Sequence, residues 1–305
     1  MRAASRTTGA HPPSYARRWA ALQSAWGRTS IQIRVGSRGS RLALTQAELA
    51  CGRLRGQGIE IALVPITTAG DRDRTKPFGE IGERGVFVKE LEEALLDGRI
   101  DVAVHSAKDM TSTDTDGLVV GAYPAREDPR DALCGADAIR PGMRIGTASV
   151  RRRAQLLALE PTLSIEPLRG NIDTRLRKRA ERGLDAVVLA ACGLDRLGLD
   201  AEIGHRFEPE ELLPEAGQGA LALQVRAGEE ELVAAANDPE THRRVAAERR
   251  CVALIGGGCL APIAAFHDGE TLSALVADPD GRWVERRSGD DPDALAAELL
   301  ALVPA

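Results

Sequence analysis

Five arginines, Arg38, Arg151, Arg152, Arg169 and Arg175, fall at or beside junctions where an apolar strand pattern gives way to a helical one. A guanidinium is a planar two-donor fork that matches carboxylate or phosphate, and a helix N-terminus adds unpaired backbone N–H groups and the positive end of a dipole. Two of these junctions read Gly146-Thr-Ala-Ser-Val-Arg-Arg152 and Leu168-Arg-Gly-Asn-Ile-Asp-Thr-Arg175. A single arginine in a first helical turn is ordinary solvated charge. Five at equivalent places point to a ligand that carries several carboxylates.

Asp109 lies just past a short buried strand, Asp101 to Val104, beside Lys108 and within reach of His105. Open α/β sheets put their working groups at such strand ends. The residue types suit acid chemistry or stabilisation of a cation, and equally a salt-bridged structural turn. Cys259 follows Gly256-Gly-Gly258 and precedes Leu260-Ala-Pro262, which places its thiol on a turn. An exposed attachment point and an ordinary buried cysteine both fit that setting. Cys51, Cys134, Cys192 and Cys251 lie in helical or apolar surroundings and read as inert. The turns Gly36 to Gly39 and Gly217 to Gly219 permit close backbone approach to a ligand, but neither matches GxGxxG or a P-loop, so nucleotide binding is not supported.

The elements that must position these groups alternate in type. Ile31 to Val35 reads as a strand running through a glycine turn into a helix with Leu42, Leu44, Ala47, Ala50 and Leu54 on one face. A second strand at Ile59 to Ile66 precedes a glycine-rich polar stretch, Gly70 to Gly85, expected as a mobile loop, and a helix bearing Phe87, Leu91, Ala94 and Leu95. Leu118 to Ala122 is a further strand. The pattern restarts after the charged, proline-broken linker Ala125 to Asp131, with strands at 144–146, 164–168 and 186–190 separated by helices over 149–159 and 172–182. A strand at Leu221 to Val225 is expected to return to the first sheet. Asp238-Pro239, an N-cap followed by proline, opens a long helix to Ile255. Strands near 261–266, 272–277 and 283–286 and a final helix complete a small α+β unit. The expected domains are 31–124 with 217–237, then 125–216, then 238–305.

The composition narrows the function classes. The chain has 305 residues and a net charge of −5, and its first thirty residues hold five arginines and no acid, which leaves −10 for the body. A nucleic-acid-binding surface is disfavoured on such a body. Five cysteines without CxxC spacing argue against a disulfide framework or a zinc cluster, so no metal is expected and a reducing cytoplasm fits. No apolar run is long enough to span a membrane. Residues 1–30 are basic like a transit peptide but lack an apolar signal core, and are read as a disordered extension or an upstream start.

Over nearly everything from Ile31 onward, the chain closely resembles the hydroxymethylbilane synthase, or porphobilinogen deaminase, family. The resemblance is carried by Arg34-Val-Gly-Ser-Arg-Gly-Ser40 with Leu42-Ala-Leu-Thr-Gln46, Gly70-Asp71, Gly85-Val-Phe-Val-Lys-Glu90 and Val104-His-Ser-Ala-Lys-Asp109. It continues through Arg126-Glu-Asp-Pro-Arg-Asp131, Gly146-Thr-Ala-Ser-Val-Arg-Arg152, Leu168-Arg-Gly-Asn171, Leu213-Pro214 with Gly217-Gln-Gly219, and Gly257-Gly-Cys259. It implies an α/β fold of two periplasmic-binding-protein-like lobes with mixed, mainly parallel sheets, plus the small α+β C-terminal domain. It implies a cytoplasmic transferase that joins four porphobilinogens head to tail with loss of ammonia. The product is released as a linear tetrapyrrole of haem biosynthesis. One covalent dipyrromethane per chain is implied on Cys259 through a thioether. Asp109 is implied as the catalytic carboxylate, and Lys108, Ser149, Arg151, Arg152, Arg169 and Gly170 as cofactor-binding. Arg38, Ser40, Arg175, Arg196 and Gln218 are implied as substrate-binding. The implied partners are porphobilinogen and linear oligopyrroles, without nucleic acid or membrane, and the implied state is a monomer.

Relatives frequently have a larger residue at position 107 and proline at 111, where this chain has Ala107 and Thr111, and two lysines where it has Glu80 and Arg84. Two other readings compete. A non-catalytic organic-anion binder explains the arginines but neither Asp109 nor the glycine-flanked thiol, and a cysteine hydrolase requires Cys259 and His105 to meet.

Overall fold

The computed structural model describes residues 32–56, 58–68, 88–111, 115–256 and 261–303. The Gly70 to Gly85 stretch, Phe87, Cys259 and residues 1–30 lie outside the described residues. In chain order the first elements are β1 (Gln32–Arg38), α1 (Arg41–Arg55), β2 (Glu60–Ile66), α2 (Lys89–Leu96), β3 (Val102–Ser106) and β4 (Leu118–Ala122). The second group is β5 (Asp131–Cys134), β6 (Arg144–Gly146), α3 (Val150–Leu159), β7 (Ser164–Glu166), α4 (Ile172–Glu181), β8 (Ala186–Ala190), α5 (Ala191–Leu197) and β9 (Ile203–Arg206). Then follow β10 (Leu221–Arg226), α6 (Pro239–Ile255), β11 (Ile263–His267), β12 (Leu272–Ala277), β13 (Val284–Gly289) and α7 (Pro292–Leu302).

Two five-stranded sheets, ordered β2-β1-β3-β10-β4 and β7-β6-β8-β5-β9, form the cores of two lobes. In each, β1 or β6 pairs in parallel with both neighbours, and a single inverted strand, β10 or β5, pairs antiparallel on both sides. Each inverted strand is the one entered from the other lobe, so two crossovers, 123–130 and 207–220, connect the lobes. The central strands are buried on both faces, as helix-covered sheets require: the apolar β8 is buried at four of five positions, and β10 is buried at all six although it carries Gln224 and Arg226.

The expected strands and helices appear at their places, including the return of Leu221 to Val225 to the first sheet. Three elements were not foreseen: β5, which begins at the last residue of the charged linker, α5 and β9. At only four residues each, β5 and β9 are too short to show a period. The third sheet, β11-β12-β13, is antiparallel. Its alternation is clean: Leu272, Ala274 and Val276 pack on Cys251, Val252, Leu295 and Leu299 of α6 and α7, whereas Leu275 and Ala277 pack on Ala154 of α3. The small unit therefore leans directly on the helix that carries Arg151 and Arg152.

Candidate functional site

The two crossovers run side by side between the lobes. Glu127 donates its backbone N–H to the Gly219 carbonyl at 3.3 Å, and Arg126 donates from Nε to the Gln218 carbonyl at 2.8 Å. At Gly219 φ is +89°, and a Cβ would lie 2.5 Å from the Glu127 carbonyl oxygen. At Gly217, φ +73°, a Cβ would lie 2.9 Å from the Ala107 Cβ and 3.1 Å from the Lys108 nitrogen. These glycines thus bring backbone against backbone, not backbone against ligand as the sequence suggested. Gly36 likewise makes room for Ile100, and among the four turn glycines only Gly39 faces open space.

The second crossover passes the 3-10 turn Ala107–Asp109, which continues directly from β3. Ala107 is buried in a cluster with Met110, Tyr123 and Ala220, so a small side chain suits this position. Lys108 and Asp109 are half-buried, and Lys108 Nζ donates to Gln218 Oε1 at 3.1 Å. His105 does not join them. Its Nε2 pairs with Gln224 Oε1 at 3.0 Å inside the sheet, and burial pushes its pKa down to about 4. One of its two ring nitrogens is thereby engaged inside the sheet.

In the second lobe Ser149 caps α3, its hydroxyl accepting from the Arg152 N–H at 3.4 Å. Arg151 and Arg152 are both buried, and both end on Asp131, the first residue of β5, which is 0% exposed. Arg151 Nη1 donates to Asp131 Oδ2 at 2.7 Å, and Arg152 donates to Oδ1 from Nε at 2.9 Å, with its Nη2 in ion-pair contact with the same oxygen at 2.7 Å. Burial alone would raise the Asp131 pKa, but the two guanidiniums overcome it and hold the carboxyl well below the usual carboxylate range. Burial likewise opposes the Arg151 charge, and Asp131 outweighs it, so the guanidinium stays charged. Arg151 Nη1 also donates to the Leu213 carbonyl at 2.7 Å, while its Nε and Nη2 are buried without a hydrogen-bond partner. Arg152 Nη1 reaches the Val188 carbonyl at 3.0 Å. Gln155, one turn further along α3, pins the second crossover by accepting from the Leu213 N–H at 2.7 Å.

The turn before α4 brings in the other arginines. Gly170 has φ +124°, and a Cβ there would lie 2.7 Å from Thr174 Cγ2. Arg175 folds back from α4 to donate from Nε to the Gly170 carbonyl at 2.7 Å, and Lys178 reaches the Arg169 carbonyl at 3.1 Å. Burial and the like charge of Arg152 push the Arg175 guanidinium down to about 10, while Asp109 pulls it back up and Arg169 adds to the depression. Arg152, Arg169 and Arg175 of the second lobe and Asp109 of the first therefore share one electrostatic neighbourhood.

The remaining residues of the expected site lie on other segments. Arg38 ends β1 and is half-buried, and Ser40 caps α1, accepting from the Ala43 N–H at 3.3 Å. Arg196 is held in the crossovers, with Nε on Glu127 Oε2 and Nη2 on the Gly219 carbonyl, both at 2.8 Å. Gln218 is fully buried and donates to Pro129 O at 2.7 Å and Asp131 Oδ1 at 2.9 Å. Sequence reasoning passed over Asp131 and Gln155 as working parts. An acid opening an apolar strand, as Asp131 does in Asp131-Ala-Leu-Cys134, was the available signal for the first. Cys259 falls between the end of α6 and the start of β11 in sequence, outside the described residues. Among the described residues no group of three or more His, Cys, Asp or Glu side chains could hold a metal ion, and no helix is long and apolar enough to cross a membrane.

Comparison with known proteins bears on the arrangement. The family model described as porphobilinogen deaminase, dipyromethane cofactor binding domain, matches residues 33–234. Porphobilinogen deaminase of Paenibacillus macerans is 43% identical over 289 residues, covering 90% of this chain and 88% of that protein. The Syntrophotalea carbinolica porphobilinogen deaminase is 46% identical over 267 residues, covering 83% and 85%. Among solved structures, a periplasmic substrate-binding protein of an ABC transporter from Coxiella burnetii covers 69% of this chain and 94% of its own, at TM-score 0.40 and 13% identity. With a match to both lobes and relatives this similar along most of the length, the chain belongs to the porphobilinogen deaminase family.

Proposed function

We propose that the space between the lobes is where this transferase joins four porphobilinogens head to tail, releasing ammonia at each addition, with Asp109 and the surrounding arginines as its working groups. The observation that carries the reading is the contact across the two lobes at Gln218 Oε1, which accepts from Lys108, the neighbour of Asp109, and from Arg152, with Arg175 within electrostatic reach of both Arg152 and Asp109. Each porphobilinogen brings two carboxylates, so a growing chain is a polyanion that only fixed cations hold in register.

The residues present fit the dipyrromethane that the family's domain binds. Arg151 keeps two N–H groups buried and unpartnered, an unfavourable state that a carboxylate would relieve. Ser149, Arg151, Arg152, Lys108, Arg169 and Gly170 would hold its acid side chains, with Cys259 as the covalent attachment. When bound, the dipyrromethane supplies the terminal pyrrole carbon to which the first substrate is joined. Arg38, Ser40, Arg175 and Arg196 would orient the carboxylates of the incoming unit; Gln218, expected among them, is fully buried with both amide hydrogens donated to Pro129 O and Asp131 Oδ1, and would act through Lys108 and Arg152 instead. Arg196 and Ser40 already have partners in Glu127 and the Ala43 N–H, so they would act with one face each. The Asp109 carboxylate would accept the pyrrole N–H and stabilise the positive charge that develops on the substrate as ammonia leaves.

The reading extends to a monomeric cytoplasmic protein divided as 31–124 with 217–237, 125–216 and 238–305. Its four described cysteines are buried free thiols, which suits a reducing compartment. Intact mass of the purified protein tests the function: an adduct of two pyrrole units on Cys259 is expected, and an unmodified mass in protein that turns over porphobilinogen would falsify it. Asp109→Ala should keep the adduct and lose turnover by on the order of a hundredfold or more, whereas Arg152→Ala should lose the adduct. Wild-type rates in either variant would remove the roles assigned here.

A further inference from the structure

Arg151 and Arg152 leave adjacent positions on α3 in different directions, yet both finish on one carboxylate. Asp131 Oδ2 accepts from Arg151, and Oδ1 accepts from Arg152 Nε and Gln218 Nε2, with Arg152 Nη2 in ion-pair contact beside them. Gln218 also donates to the Pro129 carbonyl, which fixes its amide so that Oε1 faces Lys108 Nζ at 3.1 Å and Arg152 Nη2 at 3.5 Å. A chain of contacts thus runs from the two guanidiniums of the second lobe, through one buried acid and one buried amide, to the residue beside Asp109 in the first.

We propose that Asp131, which is buried beyond reach of any substrate, is the positioning residue of the site: it sets the planes of Arg151 and Arg152 and, through Gln218, keeps them in register with the Lys108–Asp109 turn. The inference rests on the functional reading given above. Its physical content is preorganisation. A guanidinium with an anchored end presents its free N–H groups in one direction, and Arg151 has two such groups left over. A purely structural role has a built-in comparison in Asp101, equally buried, which holds Arg34 and Arg226 but precedes β3, so it lies at the opposite strand end from Asp109.

The test compares Asp131→Asn with Asp101→Asn, each purified as the full chain. Three quantities are read: the fraction of molecules carrying the two-pyrrole adduct, KM and kcat for porphobilinogen on loaded molecules, and the melting temperature. An asparagine keeps one acceptor oxygen for Arg152 and turns an N–H2 group toward Arg151, so the Arg151 anchor is lost first. The expected result is a lowered adduct fraction and a KM raised roughly tenfold to a hundredfold in Asp131→Asn, the range for losing a partner that orients a ligand-holding group. Asp101→Asn should melt earlier and keep the wild-type adduct fraction and KM. Wild-type adduct fraction and KM in Asp131→Asn, or the same losses in Asp101→Asn, overturn the proposal. Should Asp131→Asn yield no folded protein, Asp131→Glu, which keeps the charge but moves both oxygens by one methylene, is judged by the same comparison. Wild-type protein active without an adduct would instead sink the functional reading and leave the KM comparison to decide Asp131.

Discussion

Changing Glu248 to glutamine should lower the melting temperature by about 6–10 °C, from a loss of about 3–5 kcal/mol at roughly 2 °C per kcal/mol for a chain of this size. Glu248 lies on α6 with its carboxylate fully buried, facing Arg126 of the first crossover, which is 8% exposed. Oε1 accepts from Arg126 Nη1 at 2.5 Å and the His267 N–H at 2.8 Å, and Oε2 accepts from Arg126 Nη2 at 3.2 Å and the Gly217 N–H at 2.7 Å. Each oxygen therefore serves one guanidinium nitrogen and one backbone nitrogen. Glutamine puts an N–H2 group where one of those oxygens stands, so either orientation sets donor against two donors and leaves a buried arginine without its anion. The loss is a large part of a total stability of about 5–15 kcal/mol.

Differential scanning calorimetry on Glu248→Gln, Arg126→Met and the double variant separates the pair from the rest. The acceptor that glutamine takes from the His267 or the Gly217 backbone N–H is missing in the single and the double variant alike, so its cost cancels and the coupling reports Arg126 with Glu248. A coupling of about 2 kcal/mol or more is expected for so desolvated a pair. A fall of under about 2 °C in Glu248→Gln, or strict additivity, would refute the claim that this ion pair fastens the third sheet to both crossovers.

Periodicity and capping made most elements legible from sequence. Asp238-Pro239 and Ser149 mark the starts of α6 and α3 where their side chains do cap Thr241 and Arg152. The short strands β5 and β9 and the helix α5 stayed hidden because their register comes from the neighbouring sheet, not from a local pattern. The site divided in the same way. The type and position of Arg151, Arg152 and Asp109 were readable, since charge at a strand-to-helix junction is a local signal. What each arginine is anchored to was not, because Asp131 lies 20 and 21 residues from its partners and Glu248 lies 122 from Arg126. His105 reads as a chemical neighbour of Asp109 in sequence and is a sheet residue in space, since alternation along β3 turns it toward Gln224.

Two further outcomes follow from local geometry. At Gly281, φ +71°, a Cβ would sit 2.5 Å from the Ala154 carbonyl oxygen and 2.8 Å from the Ala158 nitrogen of α3. Gly281→Ala should destabilise by more than about 1 kcal/mol from the backbone region alone, with a raised KM because the turn must lift off the arginine-bearing helix; Gly289→Ala, with nothing within 4 Å, is the control, and equal effects in the two would remove the buttress. The last expectation concerns acid. The His105 pKa falls from its ordinary value of 6.5 to about 4 because burial disfavours the charged ring. The unfolded chain therefore binds the proton more readily than the folded one, and the contribution to stability is lost as pH falls below 6.5, levelling off near 4. Linkage gives about 2 kcal/mol between pH 7 and pH 5. His267, whose pKa burial also lowers, contributes in the same direction, so the difference between wild type and His105→Gln isolates the one ring. Urea titrations at the two pH values should show wild type losing about 2 kcal/mol more than the variant. Equal losses would mean that the ring is protonated as easily inside the sheet as outside it, and the assignment of His105 to the core rather than to the chemistry would fall.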